Sequence, residues 1–173
     1  TGIYSINKCS FEGNIKSSYS GANGYIGGIC GFCSTSIKNS YSLGNIIAPS
    51  ADALGGLCGE LDESNVCSHS YSLVNINEGL NAVGDNVGGL LGRTWKNSRV
   101  LKSWARGNVS GGRYVGGFVG SNSNFGSIVD CYSTGFVVGG SYIGGFCGSN
   151  NGNIINSVWD TETSGRTTSA GGI

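Results

Sequence analysis

Apolar residues along this chain keep a long-range phase rather than a helical one. No segment holds apolar side chains at i, i+3, i+4 and i+7, and glycine interrupts every candidate. Short β-branched and aromatic stretches instead lie between Gly, Asn and Ser, the composition of strands separated by turns. Five glycine-framed pentapeptides mark the phase: Gly27-Gly28-Ile29-Cys30-Gly31, Gly55-Gly56-Leu57-Cys58-Gly59, Gly88-Gly89-Leu90-Leu91-Gly92, Gly116-Gly117-Phe118-Val119-Gly120 and Gly144-Gly145-Phe146-Cys147-Gly148. They are spaced by 28, 33, 28 and 28 residues, and Gly171-Gly172-Ile173 follows 27 later. A period of this size indicates one structural unit stacked on copies of itself.

A second signature lies between the pentapeptides, Ile37-Lys38-Asn39-Ser40-Tyr41-Ser42-Leu43-Gly44-Asn45-Ile46, with related stretches at 67–76, 100–109, 128–137 and 154–163. Aligning the copies produces apolar columns. One holds Ile6, Ile37, Cys67, Val100, Ile128 and Ile154; another holds Ile15, Ile46, Ile76, Val109, Val137 and Thr163. Ile26, Leu54, Val87, Val115, Ile143 and Ala170 precede the glycine pairs, and Ile29, Leu57, Leu90, Phe118, Phe146 and Ile173 follow them. The pattern predicts an all-β chain, a single domain over 1–173 folded as a parallel β-solenoid (β-helix) of about six coils with a 26–33-residue repeat. Each strand should pair in parallel with its equivalent one coil away, at about 4.8 Å. Inward columns then form the core, each large side chain contributing roughly 1.5–3 kcal/mol. The column Gly31, Gly59, Gly92, Gly120 and Gly148 is expected at corners that need either positive φ or close backbone approach.

The aromatic column Tyr41, Tyr71, Trp104 and Tyr132 is expected to stack as a packing ladder, or to serve as a sugar-binding strip if its faces are open. From the Ser or Cys slot (Cys9, Ser40, Ser70, Ser103, Cys131) to the glycine pair takes 18, 15, 18, 13 and 13 residues. The extra residues of the first three coils should bulge from one edge as loops, a common location for binding loops in repeat proteins.

Composition narrows the classes. Glycine occupies 33 of 173 positions, but one proline and no Gly-X-Y period exclude collagen. With 38% apolar and only 12% charged residues the chain can offset its ordering entropy, which excludes disorder. The formal net charge is zero, so no nucleic acid is implied as a partner. No apolar run approaches the ~20 residues of a spanning helix, so membrane insertion is not expected. The chain does not begin with Met and shows no signal peptide, and a processed mature form or an excerpt is expected. Thr1-Gly2-Ile3 and Gly171-Gly172-Ile173 stand at a similar phase of the repeat with no evident cap, so both ends are expected to meet another protein surface.

Candidate chemistry is sparse. One histidine, His69, excludes a His-Glu-x-x-His zinc peptidase within this chain, and Ser68 or Ser70 beside it in sequence is not a triad. No repeat column holds two of the ten acids, so the paired carboxylates of a glycosidase are not expected. Seven cysteines leave at least one unpaired within the chain. Cys30-x-x-Cys33 is an isolated CxxC. Cys30, Cys58 and Cys147 share a column with Leu91 and Val119, so the cysteines read as small buried hydrophobes, and no metal or cofactor is predicted. Cys30 and Cys58 should lie one rung apart. Six acids lie between Asp52 and Asp85, whereas Arg93, Lys96, Arg99, Lys102, Arg106 and Arg113 follow with no acid among them and with Trp95 and Trp104 interleaved. That basic segment either forms an interaction surface or pairs with the acidic coil beside it.

Gly-Gly-Leu-x-Gly followed by Asn-Ser-Tyr-Ser-x-Gly resembles the GLUG motif of bacterial surface and secreted proteins, and the resemblance extends over almost the whole chain. The ending Trp159-Asp160-Thr161-Glu162-Thr163-Ser164-Gly165 is similar to one common in such arrays. Such motifs occur in large adhesin-like proteins and beside the catalytic part of immunoglobulin A-cleaving metallopeptidases. The resemblance implies an extracellular or cell-surface, non-enzymatic structural and adhesive role. Its partners would be copies of itself, further repeats of a longer chain or a surface glycan. Alternatives are a filament subunit stacking head to tail, and a carbohydrate-binding or polysaccharide-cleaving solenoid.

Overall fold

A computed structural model describes residues 4–19 and 24–173. Each coil visits three parallel sheets in turn. The first sheet stacks six strands, Ser5–Asn7, Ser36–Lys38, Val66–Ser68, Arg99–Leu101, Ser127–Val129 and Asn153–Ile155. Its register runs Ile6, Ile37, Cys67, Val100, Ile128, Ile154, the column that the repeat alignment predicts. The third sheet stacks five, Cys30–Cys33, Cys58–Leu61, Leu91–Thr94, Val119–Asn122 and Cys147–Asn150. Between them an eleven-stranded second sheet carries both flanks of the variable loops. Where no insertion interrupts, those flanks fuse into the single strands Val109–Gly116 and Val137–Gly144. The molecule is an all-β solenoid of about five turns.

Two apolar compartments run along the axis, not one. The first buries Ile37, Leu57, Leu90, Val100, Phe118, Ile128 and Phe146. The second buries Ile46, Leu54, Ile76, Val87, Val109, Val115 and Val137 inside the bend of the second sheet. The partition is a pinch between the second glycine of each pair and a small residue across the coil. A Cβ on Gly28 would lie 2.8 Å from Ser42 Cβ, and one on Gly89 would lie 3.0 Å from Ala105 Cβ. The Ser42 hydroxyl donates to the Gly56 carbonyl at 2.7 Å, and Ser133 donates to Gly145 at 3.1 Å. The glycine pentapeptide and the Ser-Tyr-Ser segment are therefore two sides of one contact.

The corner glycines do not adopt positive φ. Gly31 and Gly59 are needed for close approach: a Cβ on Gly59 would meet the Gly31 carbonyl at 2.5 Å. One recurring left-handed corner falls instead on the polar column Lys8, Asn39, His69, Lys102, Asp130 and Asn156, with φ between 47° and 56°. All six are exposed. Beside each corner a hydroxyl ladder saves the buried backbone. Ser70 Oγ donates to Ser68 O at 2.9 Å and accepts the Ser40 N–H at 3.1 Å; Ser40, Ser103 and Ser157 repeat the arrangement.

The loops of the second and third coils do leave from one edge, and they stack: Val83 and Gly84 donate to Pro49 O, and Asn77 Oδ1 accepts the Ala48 N–H at 2.7 Å. Part of the first loop, 20–23, lies outside the described residues, as does Thr1-Gly2-Ile3. The sixth copy departs from expectation. Asp160 caps a helical turn, Thr161–Ser164, by accepting from the Glu162 and Thr163 N–H groups, and Gly165 ends it at φ 64°. Thr163, Ala170 and Ile173 are exposed and continue no column. This tail folds over the last coil: Gly145 donates to Thr168 O, Cys147 N–H donates to Ser169 Oγ, and Ile173 donates to Ser157 O. The expected bare end is thus covered by the chain itself, because a strong N-cap diverts the sixth copy from a strand into a helical turn.

Candidate functional site

The basic segment does not form one surface. Residues 93–113 traverse most of a coil, so consecutive bases are distributed around its circumference. Arg93 lies on the third sheet, Arg99 on the first, Arg113 on the second, and Lys96 and Lys102 at left-handed corners. Arg93 forms an ion pair with Glu60 in the coil before it, and its guanidinium also reaches Tyr25 Oη at 3.3 Å and the Trp95 ring at 5.3 Å. Lys96 binds Glu63 at 3.1 Å. Coil-to-coil pairing accounts for these charges. The Glu60 carboxyl is pushed above its ordinary range by burial, which outweighs the opposing pull of Arg93.

The aromatic ladder is present. Tyr41, Tyr71, Trp104 and Tyr132 stack with centroids 5.0, 4.3 and 5.8 Å apart and planes within 11°. Arg106 lies against the Trp104 and Tyr132 rings. Ring faces are occupied by neighbouring rings, so solvent meets mainly edges, and the strip is poorly suited to stacking on sugars. His69 and Ser70 form no catalytic pair, since the Ser70 hydroxyl belongs to the ladder described above. On the loop edge, residues 78–83 and the next two coils enclose a groove of about 510 Å³, with Leu80, Val83, Phe136 and Val138 on its rim.

The first two rungs of the third sheet bring three thiols together. Cys30 and Cys58 are register partners, as their shared column predicts. Cys33 joins them: the Sγ atoms of Cys30, Cys33 and Cys58 all lie within 4.8 Å of one another. Positions 30 and 33 would face opposite ways on a straight strand. Here the Cys33 side chain is buried in the same core against which Cys30 packs, so the strand Cys30–Cys33 does not keep simple alternation. Cys33 heads the column Leu61, Thr94, Asn122, Asn150. That mixture of chemistries carries no periodic signal, and so the cluster is not legible in the repeat. Each thiol has a carbonyl acceptor two residues on, at Phe32, Thr35 and Glu60. Sharing of thiol protons holds Cys33 well below the ordinary thiol range and raises Cys30 and Cys58. The other buried thiols, Cys67, Cys131 and Cys147, are raised to about 12 by desolvation.

Stacked in-register coils with glycine pinches define the class, a repeat-built parallel β-solenoid. Within it, residues 111–138 match the family model described as the GLUG motif. The matched stretch spans the Gly116-Gly117-Phe118-Val119-Gly120 pentapeptide and the following Tyr-Ser segment, and the fold is consistent with GLUG-motif repeat proteins. No curated protein and no solved structure matches the chain.

Proposed function

We propose that this chain is a non-enzymatic structural and adhesive β-solenoid of a cell-surface or secreted assembly. The reading is carried by where its reactive side chains go: the carboxylates of the most acidic coil are engaged by the bases of the next. Glu60 is held by Arg93, and Asp62 and Glu63 face Lys96 at 4.0 and 3.1 Å. Polysaccharide cleavage needs two carboxyls free to converge on one bond, roughly 5–10 Å apart. Incubation with acidic and neutral polysaccharides should leave their chain lengths unchanged. Depolymerisation by the parent protein that disappears in a Glu60→Gln, Asp62→Asn, Glu63→Gln variant would overturn the reading. Protease shaving of intact source cells should remove the protein; resistance until the cells are lysed would reject the surface location.

A filament is the second reading. Ile6, Ile15 and Ile26 in the first coil are only partly buried, which favours a further surface there. The tail over the last coil works against head-to-tail stacking. Light scattering that rises with concentration would favour the filament, and a constant monomer mass would remove it.

A further inference from the structure

The three-thiol cluster has a geometry that its packing role does not require. We propose that Cys30, Cys33 and Cys58 form a binding site for one soft, closed-shell metal ion, of the Cu(I) type, through three sulfurs. This goes beyond the structural reading above and does not depend on it.

Three considerations converge. The first is distance. Metal–thiolate bonds of about 2.3 Å in a trigonal plane place the sulfurs roughly 4 Å apart. The cluster lies within 4.8 Å, so closure requires each sulfur to move by at most about half an ångström. The second is donor set. Among the described residues no His, Asp, Glu or further Cys joins the group. Thiolates select soft ions over oxygen-seeking Mg²⁺ or Ca²⁺. A three-donor site suits an ion content with three ligands better than Zn²⁺, which in structural sites takes four. The third is organisation. Two ligands come from one strand, Cys30–Cys33, and the third from the rung paired with it. The ladder therefore sets their spacing before any ion arrives. Cys33 and Cys58 are buried, while Cys30 keeps partial exposure and gives the ion a route in.

Binding is ligand exchange, with no oxidant involved. Each sulfur that coordinates loses its proton to solvent, the S–H bond breaks and an S–metal bond forms, while the ion keeps its oxidation state. Cys147 lies in the same column as Cys58, three rungs away, but its register neighbour is Val119, so it has no partner thiols at that position.

The test uses the whole reduced chain under anaerobic conditions, titrated with Cu(I) against a competing chelator. One ion per chain should bind, with X-ray absorption counting three sulfurs near 2.3 Å. Cys30→Ser, at a partly exposed position, and Cys33→Ser should each weaken binding by more than the roughly 10–100-fold that loss of an outer-shell partner costs. Cys147→Ser should bind as the parent does. Thermal melts of each metal-free variant establish that it is folded, and Cu(I) should raise the melting temperature of the parent but not of Cys30→Ser. Unchanged affinity in the folded Cys30→Ser protein would overturn the site. A two-sulfur ion, or uptake abolished only by Cys9→Ser, would overturn it equally.

Discussion

At the scale of single residues, the chain's polar groups are used to join coils. Arg93 and Glu60 form the most buried ion pair among the described residues, with side-chain exposures of 20% and 5%. Removing the base leaves a desolvated carboxylate, at a cost of about 3 kcal/mol at neutral pH. The pH dependence follows from the sign of the Glu60 shift. Its folded pKa is already raised, so the native state binds the proton more tightly than the unfolded chain, and stability falls as pH rises through and above the ordinary carboxylate range. Without Arg93 the shift grows. Denaturation of Arg93→Met should therefore show a large loss near about pH 7 and a much smaller one near about pH 4. An equal loss at both values would show that the arginine acts through packing alone. The hydroxyl ladder makes a separate prediction. Ser70→Ala strands the buried Ser40 N–H, which should lower stability by about 1–3 kcal/mol in urea melts, whereas a change below the fitting error would mean water replaces the hydroxyl.

At the scale of elements, strand length and sheet bending depend on a few small residues. The glycine pair is kept small by what lies opposite it. A side chain on Gly89 would strike the Gly117 carbonyl of the next rung, a backbone atom fixed by its own ladder. Gly89→Ala should therefore cost at least the upper end of the roughly 1–3 kcal/mol typical of overpacking. Circular dichroism melts check this, and a variant as stable as the parent would show that the pinch is loose. The repeat columns were legible because parallel in-register stacking places equivalent residues in direct contact, as with Phe118 on Phe146, 4.7 Å apart with nearly parallel rings. The positive φ of the corner Lys8, Asn39, His69, Lys102, Asp130 and Asn156 was not, because the column is polar but holds no glycine and no single residue type that marks the left-handed conformation.

At the scale of the whole molecule, the two ends differ. The last coil is closed by its own tail, anchored by Trp159, whose Nε1 donates to Arg166 O at 2.9 Å, while Arg166 Nε donates to Val137 O at 2.8 Å. Trp159→Ala should release this tail without unfolding the stack. In hydrogen exchange the amides of Gly145, Phe146 and Cys147, which bond to the tail, should lose protection while Leu90 and Leu91 keep theirs. Uniform loss along the chain would mean that the cap is part of the global folding unit.

The amino-acid sequence by itself determined the period, the parallel solenoid and the axial columns, and it set the acidic coil beside the basic one. All of these are relations between residues one repeat apart, and a repeat displays them directly. Only the tertiary structure decided relations across a single coil. The path of the strand Cys30–Cys33 decides that Cys33 meets Cys30 and Cys58. The path of 93–113 around the circumference decides that its bases form no common patch, and the Asp160 cap decides that the sixth copy, after its strands Asn153–Ile155 and Val158–Trp159, turns into a cover. These depend on corner angles set by packing and backbone clearance, for which an alignment of repeats holds no coordinate.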